Sequence, residues 1–167
     1  MRHHIRSFTA RHEPSGQFLS HVKSGSGAVL GMSLVGGLSS LTGLPLLIAP
    51  LGATAVLLFG QPASPLAQPI NIFGGYLLAT IVGVSAMLLF PGAWWAAALA
   101  VGIAIALMLM LRVTHPPAGA LPLVATASPF QGPTLFVVVL IGSVSLVGLA
   151  ILHHWIPPRV QYPKQLK

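Results

Sequence analysis

Arg112-Val113-Thr114-His115-Pro116-Pro117-Ala118-Gly119-Ala120 holds the only charge and the only histidine between Ser24 and Leu152. Paired prolines cannot sit inside a helix, because each lacks an N–H and its ring strikes the preceding turn. The chain therefore breaks here and restarts as a short apolar segment, Ala118 to Ala127. The same punctuation occurs upstream. Pro45 and Pro50 lead into a short segment, Leu51 to Phe59, left through Gly60, Gln61 and Pro62. Pro50-Leu51-Gly52-Ala53 and Pro117-Ala118-Gly119-Ala120 match, and Ser64-Pro65 and Ser128-Pro129 follow them in turn.

Outward from these breaks lie four longer apolar segments: Gly27 to Leu44, Ile72 to Phe90, Trp95 to Leu111 and Leu135 to Ile156. As helices they can span a hydrocarbon core of roughly 30 Å. The short segments, at ~1.5 Å per residue, reach about halfway. Broken backbone at membrane depth is tolerated only inside protein or beside a wet cavity, so both belong in the interior. The order long, broken, long occurs twice, which reads as a duplication with halves at about 27–90 and 95–156. The expected fold is all-α: a polytopic membrane bundle of four long transmembrane helices plus two short broken or re-entrant helices in a pseudo-repeat. Re-entrant segments give four crossings and parallel repeats. Segments that cross with their extended entries give six crossings and inverted repeats. Gly27 and Gly31 form a GxxxG pair that reads as helix packing. Trp94, Trp95, Trp155 and Tyr162 fall at segment boundaries, as interfacial aromatics do.

The composition agrees. Of 167 residues, 54% are hydrophobic and 5% are charged, against about 25% charged in soluble domains. Every cation but Arg112 lies before Ser24 or after Trp155. That divides the chain into a basic tail at 1–23, a membrane domain at 24–156 and a second tail at 157–167. Both tails are expected on the cytoplasmic side. The net charge of +7 reads as contact with the lipid bilayer, not with nucleic acid. A first helix that is not cleaved is expected, since no Ala-x-Ala site follows it.

Function classes fall away in turn. There is no cysteine and a single acid, Glu13. Paired-carboxylate chemistry, a Ser-His-Asp triad, thiolate metal sites and carboxylate metal sites all lack their residues. No enzyme activity, cofactor or metal is expected. What stays is a pathway. Helix starts carry unpaired amides and about half a positive charge, which favours an anion. Pro50, Gly52, Ala53 and Thr54 form one such start; Pro116, Pro117, Ala118, Gly119 and Ala120 form the other. Thr54 and Thr114 can donate hydrogen bonds. His115 either lines or gates the path, or bonds a freed carbonyl and holds the break together. Arg112 is an accessory residue or a boundary anchor, since a charge at mid-membrane costs about 2.5–3.5 kcal/mol. Gln68 and Asn71 face the pathway or cap the third long helix, with Asn71 at its N-cap. His153 and His154 are expected at the interface.

At these residues the chain resembles the HPP family of integral membrane proteins, named for His-Pro-Pro. The resemblance rests on Thr114 to Ala120, on Pro50 to Phe59, and on Ser64 to Pro69 with Asn71-Ile72-Phe73-Gly74-Gly75. It covers about Gly27 to Trp155. The family often has His where this chain has Tyr76. It has a small or hydroxyl residue where this chain continues Leu121-Pro122. The resemblance implies an inner-membrane protein, usually described with four transmembrane helices, whose plastid and cyanobacterial relatives are associated with nitrite transport. The expected function is therefore a transporter or channel for a small inorganic anion, nitrite first, working as a homo-oligomer in the bacterial inner membrane. A non-transporting scaffold or sensor and a small neutral-solute channel are the alternatives.

Overall fold

The computed structural model describes residues 10, 17–127 and 132–165. Glu13, most of the basic tail and Ser128-Pro129 of the second repeat lie outside the described residues. Among those described there are six α-helices and no strand. Helix α1 is Phe18–Thr42 and α2 is Ala49–Ala55, which continues as a π-helical turn, Val56–Gly60. After a 3-10 turn at Pro65–Ala67 come α3, Pro69–Leu89, and α4, Trp94–Met110. A second 3-10 turn, Pro116–Ala120, leads into α5, Leu121–Ala127, and α6 is Gly132–Trp155. All four long helices of the sequence reading are present. Length and apolarity sufficient for a membrane span hold for α3 and α6. Helix α1 is long but diluted by Ser, Gly and Lys23, and α4 is apolar but has 17 residues.

The course of the chain follows from who touches whom. Helix α1 runs from the end that holds Phe18 and the 157–165 tail to a far end, where Gly43 turns it at φ 71. The chain then comes back along α1. Leu47 lies against Gly36, and Phe59 lies against Gly27 and Gly31. It finishes with Gly60 and Pro62 beside Ser20, Lys23 and Ser24. The first broken segment is therefore not re-entrant. Seven residues of α-helix and five of π-helix give ~18 Å, and the extended lead-in at 44–48 supplies the rest at ~3.3 Å per residue.

The second half repeats this course upside down. Helix α3 runs outward and α4 returns, so Met108 and Val113 sit against Gly75 and Gly74. Pro122 and Ala125 then climb beside Gly83, and Thr126 and Ala127 reach Phe90 and Trp94 at the far end. Helix α6 descends from Val84 at Gly132 to Gly27 at His153. The described trace makes six runs with Phe18 and Trp155 at the same end, and the halves are inverted. The contacts respect that symmetry. The first broken segment packs between α1 and α6, and the second between α4 and α3. These pairs exchange when each element of one half is swapped for its counterpart.

The lead-ins keep their polar backbone groups occupied. Ser39 Oγ donates to Leu44 O (2.6 Å) and accepts from Leu46 N (3.3 Å). Ile48 N donates to Leu46 O (2.9 Å). In the second lead-in, Val113 N donates to Met108 O (3.0 Å) and Asn71 Nδ2 to Thr114 O (3.0 Å). Small residues set the helix spacing. A Cβ on Gly27 would lie 2.5 Å from Phe59 Cδ1, and one on Gly31 would lie 2.9 Å from Leu146 Cδ2. The described fixed cations gather toward the end that holds Phe18 and the 157–165 tail. Lys23 Nζ donates to Ile156 O (2.5 Å) and Pro158 O (2.6 Å). Arg159 and Lys164 lie in the tail beyond, and Arg112 follows the end of α4 with a left-handed φ of 57.

Candidate functional site

The two broken segments meet where each begins. Ile48 and His115 are the residues that precede the helical turns, both with extended backbone. A proline follows within the first turn of each segment, so the starts are cut off from the preceding chain by the same chemistry. His115 is fully buried, as is Thr54, one helical turn into α2. Their side chains meet: His115 Nε2 is 2.8 Å from Thr54 Oγ1. On its other side His115 Nδ1 is 2.8 Å from Leu66 O. Thr54 Oγ1 is 2.6 Å from Tyr76 Oη, which donates to Pro50 O at 2.8 Å. The Tyr76 ring stands edge-on to the imidazole with centroids 5.0 Å apart. Gly75 makes room: a Cβ there would lie 2.7 Å from His115 Cβ.

This row, Leu66 O, His115, Thr54, Tyr76, Pro50 O, ties both broken segments and α3 together. Its hydrogen count is informative. Carbonyls at both ends only accept, so Nδ1 must donate to Leu66 and Tyr76 must donate to Pro50. Thr54 then has one hydrogen and two acceptors, Tyr76 Oη and His115 Nε2. Four contacts are served by three hydrogens while the imidazole is neutral. A second proton on His115 fills the fourth, at the cost of burying a charge. The row holds a tight neutral junction that is one hydrogen short.

The remaining site residues separate into inside and outside. Pro50, Pro117 and Ala118 are buried, whereas Ala53 and Pro116 face outward. Gly52 and Gly119 occupy corresponding places, and neither has any atom within 4 Å of where a Cβ would stand. Between the segments an open groove of about 530 Å³ is lined by Ala49, Pro50, Ala53, Val56, Leu57, Pro116, Pro117 and Ala120. No side-chain donor lines it. Pro50, Pro116 and Pro117 have no N–H, and Ala118 N is bonded to His115 O at 2.9 Å. The starts thus offer fewer free amides than the helix-terminus argument assumes.

Other residues sit differently from expectation. The N-cap of α3 is Gln68, not Asn71, because Pro69 takes the first helical position and shifts the start three residues upstream. Asn71 instead holds the Thr114 carbonyl, while Thr114 Oγ1 makes a long contact to Met108 O (3.4 Å). Gln68 is a staple: Nε2 donates to Pro62 O and Ser64 O (both 2.9 Å), and Oε1 accepts from Lys164 N (2.8 Å). Arg112 is exposed and takes no part in the row. His153 and His154, in the last turn of α6, are buried, because the tail folds back beneath the helix and covers them. Tyr162 anchors that tail by donating to Ala67 O (3.0 Å). Burial raises the Tyr162 hydroxyl above its ordinary range. Tyr76 is the site residue that the sequence reading noted as a departure from the family pattern but gave no role. Its spacing from the Gly74-Gly75 pair was the available signal.

Comparison with known proteins finds membrane proteins. Two transmembrane proteins of Dictyostelium discoideum are similar to the chain. One is 34% identical over 128 residues, covering 72% of this chain and 45% of its own length. The other is 35% identical over 125 residues, covering 70% and 40%. The chain spans less than half the length of these curated relatives. No solved structure matches it. The HPP transmembrane region family matches residues 13–163, which take in the half-helices, the buried row and the docked tail alike; the chain belongs to the HPP family of membrane proteins.

Proposed function

We propose that the protein moves a small inorganic anion, nitrite first, across the bilayer along the seam between its two half-helices, as a channel or transporter and not as an enzyme. The observation that carries this reading is the meeting of the two starts. His115 and Thr54 join them at 2.8 Å, and the glycines at the equivalent places face open space. Inverted halves with broken helices at their junction are the arrangement in which transporters build central sites. Polar groups stand directly behind the groove, and no acid among the described residues opposes an anion.

The four long helices act as the spans, with the broken segments completing six passages. The gathering of Lys23, Arg112, Arg159 and Lys164 at one end supports cytoplasmic termini in a bacterial inner membrane. Broken backbone facing outward needs protein cover in lipid, which supports a homo-oligomer closed over the seam. A second reading, passage of a small neutral solute, is favoured by the apolar lining of the groove and its three prolines.

Proteoliposomes decide between them. Nitrite uptake that is lost in a folded His115→Ala variant supports the anion reading. Vesicle swelling with a small neutral solute, and no uptake of nitrite, nitrate or formate, favours the second. Folded wild-type protein that passes neither is a scaffold or sensor, and the transport reading is then wrong.

A further inference from the structure

Where the tail folds back beneath α6 it forms an open cavity, apart from the seam. Its volume is about 770 Å³, and its lining includes Trp155, Arg159, Gln161, Tyr162, Lys164 and Gln165. Backbone and anchor bonds fix its frame. Tyr162 Oη donates to Ala67 O (3.0 Å), Lys164 N to Gln68 Oε1 (2.8 Å) and Val160 N to His154 O (3.2 Å). None of these bonds uses up a cation. Arg159 donates Nε to Trp155 O (3.1 Å), and its two terminal nitrogens keep four hydrogens in the planar fork that suits phosphate oxygens. Lys164 Nζ makes no hydrogen bond among the described residues. No acidic side chain among the described residues faces either cation, since Glu13 is the single acid of the chain and lies outside them.

A second feature meets the cavity from above. Val144, Gly148, Leu152 and Trp155 recur every three or four residues on α6, so they share one face, and all four are exposed. Nothing lies within 4 Å of where a Cβ on Gly148 would stand. At ~1.5 Å per residue this stripe covers about 16 Å, one leaflet's share of a ~30 Å hydrocarbon core. Trp155 belongs both to the stripe and to the cavity lining, as an aromatic at the headgroup boundary does. We propose that the two together bind one anionic phospholipid of the leaflet on the tail's side, with its phosphate between Arg159 and Lys164 and its acyl chains along the stripe. The charge decides the class of headgroup. Both charged groups of the lining are cations, so a zwitterionic headgroup would bring its own cation against them, whereas a net anionic one meets only its complement. The stripe decides the source, because a free phosphate has nothing to lay along Val144 to Trp155. The site requires the bilayer and does not require the seam to conduct.

Full-length protein in detergent is mixed with equal amounts of phosphatidylglycerol and phosphatidylcholine, and the lipid it retains is counted by native mass spectrometry. Wild type should hold one phosphatidylglycerol in preference to phosphatidylcholine. Arg159→Gln and Lys164→Gln should each weaken that retention about fivefold, and the double variant about 25-fold, the scale of one surface charge apiece. Both side chains are exposed, so the bundle folds without them. Arg112→Gln, which removes an exposed cation outside the cavity, should leave retention unchanged. Equal retention of the two lipids, or a double variant that matches wild type, overturns the site. Release of the lipid by millimolar inorganic phosphate makes the cavity a free-phosphate site and overturns the lipid assignment. The wild-type competition decides the matter even where a variant fails to fold. Retention is read as binding, so its failure and the failure of nitrite flux are separate results.

Discussion

Replacing Thr54 with valine tests the buried row most directly. Valine keeps the shape and removes one oxygen. That oxygen is 2.6 Å from Tyr76 Oη and 2.8 Å from His115 Nε2, and it is fully buried. One hydrogen vanishes, and in the neutral row it serves only one of its two acceptors. Tyr76 keeps its bond to Pro50 O. His115 Nε2 keeps nothing, and an orphaned buried group costs about 1–3 kcal/mol. That is equivalent to a fall in Tm of roughly 2–12 °C for a chain of this size. Thermal unfolding in detergent measures it. Thr54→Ser should recover most of the loss. Thr80→Val is the control, because its hydroxyl bonds only Tyr76 O in its own helix. A Thr54→Val protein that melts within about 1 °C of wild type would refute the hydrogen-bonded junction.

Other outcomes follow from the same geometry. Gly75→Ala places a methyl 2.7 Å from His115 Cβ and 3.1 Å from Val113 O. It should destabilise by about 1–3 kcal/mol, whereas Gly102→Ala, with nothing within 4 Å, should leave Tm unchanged or higher. The ¹⁵N spectrum of His115 should show the Nδ1–H tautomer, since Leu66 O can only accept; an Nε2–H signal contradicts the assignment. Tyr162→Phe should free the 157–165 tail for faster proteolysis while the bundle melts almost as before. For the wild-type tail, burial raises the Tyr162 pKa. The anchoring is therefore complete below the ordinary tyrosine range and is lost as pH rises beyond about 10, read as the onset of cleavage in a pH series.

Much of this architecture is written locally. Pro45, Pro50, Pro116 and Pro117 announce the breaks because proline acts on its own turn, and the matching order of elements exposes the duplication. The choice between four and six runs was open because it depends on how far the lead-ins at 44–48 and 113–115 extend, and extension leaves little trace in composition. Thr54 and His115 were legible as site residues from their places at the breaks. Their contact across 61 positions was not, and neither was the part of Tyr76, whose hydroxyl matters only once α3 lies beside both starts. His153 and His154 looked interfacial because they end an apolar helix. Only the return of the tail, through Tyr162 and Lys164, encloses them. Asn71 was misjudged as a cap because Pro69 can begin a helix without one.

The prolines at the two starts bear on how such a chain enters the bilayer at all. A helix that begins in oil ordinarily strands up to four donors, each with several kcal/mol of lost hydration. A residue that has no hydrogen on its nitrogen strands nothing there. Pro50, Pro116 and Pro117 thus make interruption at depth cheap to insert, and exchanging them for alanine would restore donors that nothing nearby accepts.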